Sequence, residues 1–198
     1  MNKYVALTFD DGPHPLYTEK KLTILQAEDV PATFFFIGEN ILKYPEVVQK
    51  VQQAGQQIAN HTFSHPDLTT LSKEEVRTEV RRGDDALFQT TGCVSNYLRP
   101  PYGNFNRENW EAIGKNLVTW SIDTQDWQEG RTTEEIFAAA TQQVTFPAII
   151  LMHCFKKETV VALPKIIHAL KEAGVTFVTV AELLSLESAA ITGIKVTN

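Results

Sequence analysis

The chain has 198 residues, 43% of them hydrophobic and 21% charged, which suits one domain with a substantial core. Its 18 Lys and Arg stand against 24 Asp and Glu, a net charge of -6 that argues against nucleic acid as the main partner. No apolar run is long enough to span a bilayer, and because Met1 runs almost straight into the first strand no signal peptide is expected.

The first strand is predicted over 4–9 and leads into Asp10-Asp11-Gly12-Pro13. Two adjacent carboxylates repel each other and call for cations, a metal for one and an Arg for the other. An Asp-Gly turn with one incidental acid is the plainer alternative. A helix over 16–28, a strand over 32–37 and a helix over 41–54 follow, the last stopping at Gly55. The third strand, over 57–59, runs into His61-Thr62-Phe63-Ser64-His65. Four residues apart, the two imidazoles are expected on one side of a single helical turn, a spacing that suits a divalent ion at ~2.0–2.1 Å. A pair of surface or capping histidines is the competing view, weakened because these are two of only five histidines in the chain.

A helix over 73–90 starts at the capping box of Ser72 and Glu75 and stops at Gly92. The strand over 96–98 delivers Arg99-Pro100-Pro101-Tyr102-Gly103, a stiff segment. Arg99 can hold an Asp there, and the backbone N–H near Tyr102 can face an oxyanion; a structural Arg in a rigid turn is the equal alternative. After a helix over 107–114, a strand over 117–122 ends on Asp123-Thr124-Gln125-Asp126-Trp127. A capping box of Thr132 and Glu135 opens the helix over 133–143, and the strand over 148–152 ends at His153. A His oriented by one of these carboxylates has its pKa raised and can serve as a general acid. Trp127 is placed either to wall the site and stack on a sugar or simply to fill core. A helix over 160–173, stopped by Gly174, and a strand over 175–180 complete the series. His14 and His168 receive no role.

Strand–helix alternation with nearly continuous apolar strands implies a parallel sheet covered by helices. About seven such units favour an α/β fold of the distorted (β/α)7 TIM-like barrel kind, in one domain over 1–186 with a tail over 187–198. All five polar clusters fall at carboxyl ends of strands, where barrel enzymes build their sites. Cys93 and Cys154 are expected at opposite edges of the sheet, too far apart to bridge, and so as free thiols.

Jointly, the five clusters resemble the polysaccharide deacetylases, the NodB-homology domain of carbohydrate esterase family 4, from Thr8 to about Leu184. The resemblance implies that Asp11, His61 and His65 bind a divalent metal, most often Zn2+ and sometimes Co2+ or another ion. The residues alone leave open which of Asp10 and Asp11 is the ligand. It further implies Asp10 as catalytic base, Arg99 as its orienting partner, His153 as catalytic acid, Asp126 as the group that tunes it, and Tyr102 as the source of an oxyanion N–H. Trp127 and Leu151 match the walls of the acetyl pocket. Where many members have Asp after the acid His, this chain has Cys154, and the rim that follows it is altered.

The implied activity is N-deacetylation of N-acetylglucosamine-containing glycans, either peptidoglycan or chitin-type oligomers. The alternatives are an O-acetyl esterase on xylan or a related polysaccharide, a silent glycan- or metal-binding homologue, and a metal hydrolase of non-carbohydrate substrates. The family further implies a glycan as partner and an extracellular or cell-wall location; the protein is expected to be a monomer.

Overall fold

A computed structural model describes residues 3–186. Its strands are β1 (Tyr4–Gly12), β2 (Ala32–Phe36), β3 (Gln57–Asn60), β4 (Tyr97–Leu98), β5 (Asn116–Leu117), β6 (Ile122–Asp123), β7 (Ala148–His153) and β8 (Thr176–Phe177). The helices are α1 (Tyr17–Ala27), α2 (Gly38–Lys43), α3 (Pro45–Gln53), α4 (Lys73–Thr91), α5 (Arg107–Ile113), α6 (Thr133–Thr141), α7 (Lys157–Glu172) and α8 (Val180–Leu186). The sheet runs β5-β4-β3-β2-β1-β7-β6 with β8 beside β1, and every pairing is parallel. It curls into a half-barrel, the α/β architecture expected of the sequence.

Period-two alternation on β1 divides its side chains between two cores. Val5, Leu7 and Phe9 pack with Leu22 and Leu25 of α1 and with Leu163, Ile166 and Ile167 of α7. Ala6 faces the other way, into a barrel interior shared with Phe35, Ala59 and Ile149. Thr8 and Asp10 continue that inner row toward the carboxyl edge. Val180 and Leu183 of α8 pack against the same inner cluster and stop the barrel at its other end.

Several predicted boundaries move for identifiable reasons. The strand expected over 117–122 is two short pieces, because β5 and β6 lie at opposite ends of the sheet. Residues 118–121 cross the seam between them: Val118 N–H bonds Leu98 O at 2.9 Å, and Ser121 N–H bonds Ile149 O at 3.0 Å. The helix expected over 41–54 starts earlier, at Gly38, and divides at Tyr44, whose φ of -133° and ψ of 55° are non-helical. The following Pro45 drives its predecessor out of the α region. The last strand ends at Phe177 rather than at 180, because Thr179 and Glu182 exchange N–H and side-chain bonds that cap α8. Gly92 and Gly114 close α4 and α5 at φ of 72° and 63°. The predicted tail over 187–198 lies outside the described residues.

Candidate active site

The neighbouring carboxylates of Asp10 and Asp11 are separated by a break in register between β1 and β2 at 10–12 and by a φ of 65° at Asp11. Asp10 stays on the inner row, where its Oδ1 accepts a 2.7 Å bond from Arg99 Nη1. Arg99 is fully buried. Its remaining bonds go to Thr8 Oγ1 at 2.8 Å, Val118 O at 3.2 Å and Thr119 O at 3.0 Å. The guanidinium lies 4.1 Å from the centre of the Phe35 ring. A buried ion pair is tolerable only with its donors and acceptors so matched. Arg99 also supplies N–H donors to the segment that crosses the barrel seam, so one guanidinium bonds both that segment and the Asp10 carboxylate.

Asp11 turns to the other side. Its Oδ1 lies 3.2 Å from Nε2 of both His61 and His65. The ligand atoms of the three residues all fall within 4.8 Å of one another. His61 and His65 do not share a helical turn as expected. Thr62 and His65 have φ of 65° and 61°, which reverses the chain twice and brings both rings to Asp11 from a loop. The loop is held from beneath. Asn60 Oδ1 accepts from Thr62 N–H at 2.7 Å, and the Glu79 carboxylate accepts from the N–H groups of Phe63 at 3.1 Å and Ser64 at 2.8 Å. His61 Nδ1 bonds Arg99 O at 2.7 Å, which places its proton there and leaves the Nε2 lone pair facing Asp11.

This donor set fits a cation. Among the described residues, Asp11 Oδ1 is a buried side-chain oxygen with no hydrogen-bond partner of good geometry, although two imidazole nitrogens converge on it. Burial opposes ionisation of Asp11. The contacts from His61 and His65, and the fields of His61 and His153, outweigh it and hold the carboxyl well below the usual range. One carboxylate and two imidazoles are a ligand set that leaves coordination positions open.

The third group lies across the mouth. His153 ends β7, and its Nδ1 is 2.6 Å from Asp126 Oδ1. The other oxygen of Asp126 accepts from His153 N–H at 2.8 Å and from Thr159 Oγ1 at 2.5 Å. Burial disfavours the His153 imidazolium, but Asp126, followed by Asp10 and Asp11, overrides it and raises the pKa. With Nδ1 committed to Asp126, Nε2 faces inward, 4.0 Å from Asp11 Oδ2.

Between these groups is a cavity of about 430 Å³ lined by Asp10, Asp11, His61, His65, Tyr102, Trp120, Asp123, Trp127, Leu151 and His153. Tyr102 is in a left-handed conformation, φ 60°, within the turn Pro101–Gly103. The bonds that close this turn are donated by Gly103 and Asn104, not by Tyr102. Gly103 has φ +70°, and a Cβ there would sit 2.8 Å from the Trp120 ring, so glycine is required on both counts. Trp127 is half-exposed at the rim, as a wall rather than core. Leu151 lies deeper, almost fully buried.

All ten predicted site residues thus meet at one cavity or directly behind it. Thr8, which begins the first polar cluster but carries no role in the sequence, joins Trp120 and Thr159 as residues the structure adds to the site. Position on β1 two residues before Asp10 is the signal that points to Thr8, since side chains two apart share a face. Thr159 carries no comparable local signal. Cys93 and Cys154 are free; Cys154 is buried in the helix-facing core rather than among the ligands, and burial pushes its thiol up to about 12. Its sulfur occupies space that a side chain at position 12 would need, 2.5 Å from a Cβ built on Gly12. His14 accepts from the N–H groups of Leu16 and Tyr17, while His168 is exposed beside Glu172 on α7.

A protein-family model described as polysaccharide deacetylase matches residues 1–120. The chain belongs to the polysaccharide deacetylase family. Members of this family are metal-dependent, in keeping with the Asp11, His61 and His65 cluster. Among relatives of this polysaccharide deacetylase chain, the peptidoglycan-N-acetylglucosamine deacetylase PgdA of Listeria monocytogenes is 38% identical over 185 residues, 92% of this chain and 39% of that protein. The peptidoglycan-N-acetylglucosamine deacetylase of Bacillus cereus is 40% identical over 187 residues, 88% of this chain and 66% of that protein. The chain therefore spans about two fifths of the length of the Listeria relative and about two thirds of the Bacillus cereus one. The solved structure of T48 deacetylase with substrate superposes with a TM-score of 0.90 at 38% identity, covering 98% of this chain and 94% of that one. The structure of peptidoglycan deacetylase PdaC from Bacillus subtilis gives a TM-score of 0.90 at 32% identity, covering 94% and 92%.

Proposed function

We propose that residues 1–186 form a metal-dependent deacetylase that hydrolyses N-acetyl groups of N-acetylglucosamine-containing glycans, releasing acetate. The observation that carries this reading is the placement of two separately supported proton carriers, Asp10 on Arg99 and His153 on Asp126, on either side of one three-residue ligand cluster. The names of the Listeria and Bacillus relatives favour peptidoglycan as the polymer.

Asp11, His61 and His65 would hold the ion, with Zn2+ proposed and Co2+ or another divalent ion compatible with the same donors. When bound, it would supply Lewis-acid polarisation of the acetyl carbonyl and lower the pKa of a water. Asp10 accepts the proton of the attacking water on Oδ2, because Arg99 holds Oδ1 and fixes the carboxylate's orientation. The Tyr102 N–H, presented by its left-handed turn, donates to the oxyanion as it forms. Leu151 and Trp127 receive the acetyl methyl and exclude water around it. His153, protonated and oriented by Asp126, gives its Nε2 proton to the leaving sugar amine, so the C–N bond breaks to acetate and a free amino sugar.

No helix among the described residues is long and apolar enough to cross a membrane. A monomer acting on cell-wall glycan outside the membrane completes the reading. The decisive assay measures acetate released from N-acetylglucosamine oligomers and from peptidoglycan by metal-stripped protein, with and without Zn2+ or Co2+, beside Asp10→Asn. Metal-dependent release that vanishes in the variant supports the assignment. Release from acetylated xylan alone would transfer the same residues to an O-esterase, and no release from any of them refutes the deacetylase.

A further inference from the structure

Lys21 is in the second turn of α1, fully buried, and nothing in the chemistry above uses it. Its ammonium donates to the carbonyls of Cys154 at 3.0 Å and Lys156 at 3.1 Å, in the turn between β7 and α7. The Tyr17 ring centre is 5.8 Å away on its own helix. Asp126 and Glu158 are the anions that favour its charge, while His14 stands near enough for Lys21 to oppose protonation of its ring. The Cys154 thiol, pushed up to about 12 chiefly by burial, is no counter-ion near neutrality.

A buried ammonium is costly, and Leu or Met would fill the space without that cost. The position of the turn explains its presence. His153 and Thr159 flank this turn, and both bond Asp126. The path of residues 154–158 therefore decides whether both reach the carboxylate at once. Cys154 N–H also donates to Asp10 O at 2.8 Å, so the same turn is stitched to β1 beside the proposed base.

We propose that Lys21 is a positioning residue for the acid pair: from α1 it clamps the Cys154–Lys156 turn so that His153 and Thr159 meet Asp126 together. The catalytic importance of the clamp rests on reading His153 as the general acid; the clamp itself does not.

The test compares metal-loaded wild-type, Lys21→Met and Lys21→Arg proteins. The first readout is the far-downfield NMR signal of the proton between His153 Nδ1 and Asp126, assigned by its loss in Asp126→Ala. In Lys21→Met this signal should shift or broaden. In wild type it should do the same between pH 7 and 9, because burial brings Lys21 down to about 8. Lys21→Arg, charged throughout, should lack this component and keep only the change that the titration of His153 itself produces. The second readout is acetate release, where Lys21→Met should lose roughly tenfold in kcat with KM within about twofold. An unmoved signal in Lys21→Met overturns the proposal, even if kcat falls. So do pH profiles of this signal that are identical in wild type and Lys21→Arg, since the titration of His153 itself is common to both. Should Lys21→Met fail to fold, the wild-type titration against Lys21→Arg decides alone. If wild type releases no acetate from any glycan, the deacetylase reading fails while the NMR result still judges the clamp.

Discussion

Replacing Arg99 with Met isolates the largest electrostatic commitment in the site. Met has similar length and is apolar, so the change removes the guanidinium while keeping most of the packing against Phe35. Asp10 is then left buried without the 2.7 Å bond to its Oδ1, and Val118 O loses its 3.2 Å donor. Removing one partner of a buried ion pair costs about 3–5 kcal/mol. In a chain of 198 residues, each kcal/mol shifts the melting temperature by about 2–4 °C, giving a fall of about 6–20 °C. Calorimetry on Arg99→Met, Asp10→Asn and the double variant then closes a mutant cycle. The double variant should recover part of the loss, with a coupling above about 1 kcal/mol, because neither group is left charged and alone. Acetate release should fall in all three, since an unheld Asp10 no longer faces the water squarely. A fall under about 3 °C in Arg99→Met with near-normal kcat would refute the argument, as would a coupling below about 0.5 kcal/mol.

Three further outcomes are expected. His61→Ala should weaken Zn2+ binding by more than about 100-fold, measured on apo-protein by competition with a chelator; intact affinity would remove His61 from the ligand set. Asp126→Ala should lower kcat by about 10²- to 10⁴-fold while leaving metal affinity within a few-fold, because it strips His153 of its orienting partner rather than touching the ligands; steady-state kinetics and metal titration on the same preparation check both halves. Lys21 makes a prediction about stability whose sign is opposite to that of an ordinary surface lysine. Its folded pKa is about 8 against 10.5 for the free side chain, so between those values the unfolded chain holds more protons and folding becomes more favourable as pH rises. The gain approaches about 3 kcal/mol relative to Lys21→Met, read from urea unfolding at pH 7 and pH 10, and equal differences at both pH values would contradict it.

Much of this molecule is readable before any coordinates. Strand–helix alternation announces the parallel sheet, and capping pairs such as Ser72 with Glu75 and Thr132 with Glu135 mark helix starts that the structure keeps. The site is legible because its residues cluster at strand ends, where the fold brings the carboxyl edges together. What escapes is whatever depends on backbone dihedrals or on distant partners. A four-residue spacing between His61 and His65 looks helical, yet two left-handed residues set by Asn60 and Glu79 decide the outcome. The break at 118–121 is likewise invisible locally, because only sheet order tells a straight strand from one that must cross between edges. Lys21 reads as one more basic residue of an amphipathic helix until the carbonyls of Cys154 and Lys156 are seen to surround it.

The plug formed by Val180 and Leu183 has a kinetic corollary. Because α8 and the inner core fill the lower end of the barrel, the cavity has no exit in that direction. A glycan chain entering acetyl-first stands between its own acetyl group and the mouth until it leaves. Under the proposed reaction, acetate released beside Leu151 would lie deeper than the sugar, so deacetylated glycan is expected to leave first and added acetate to compete with incoming glycan.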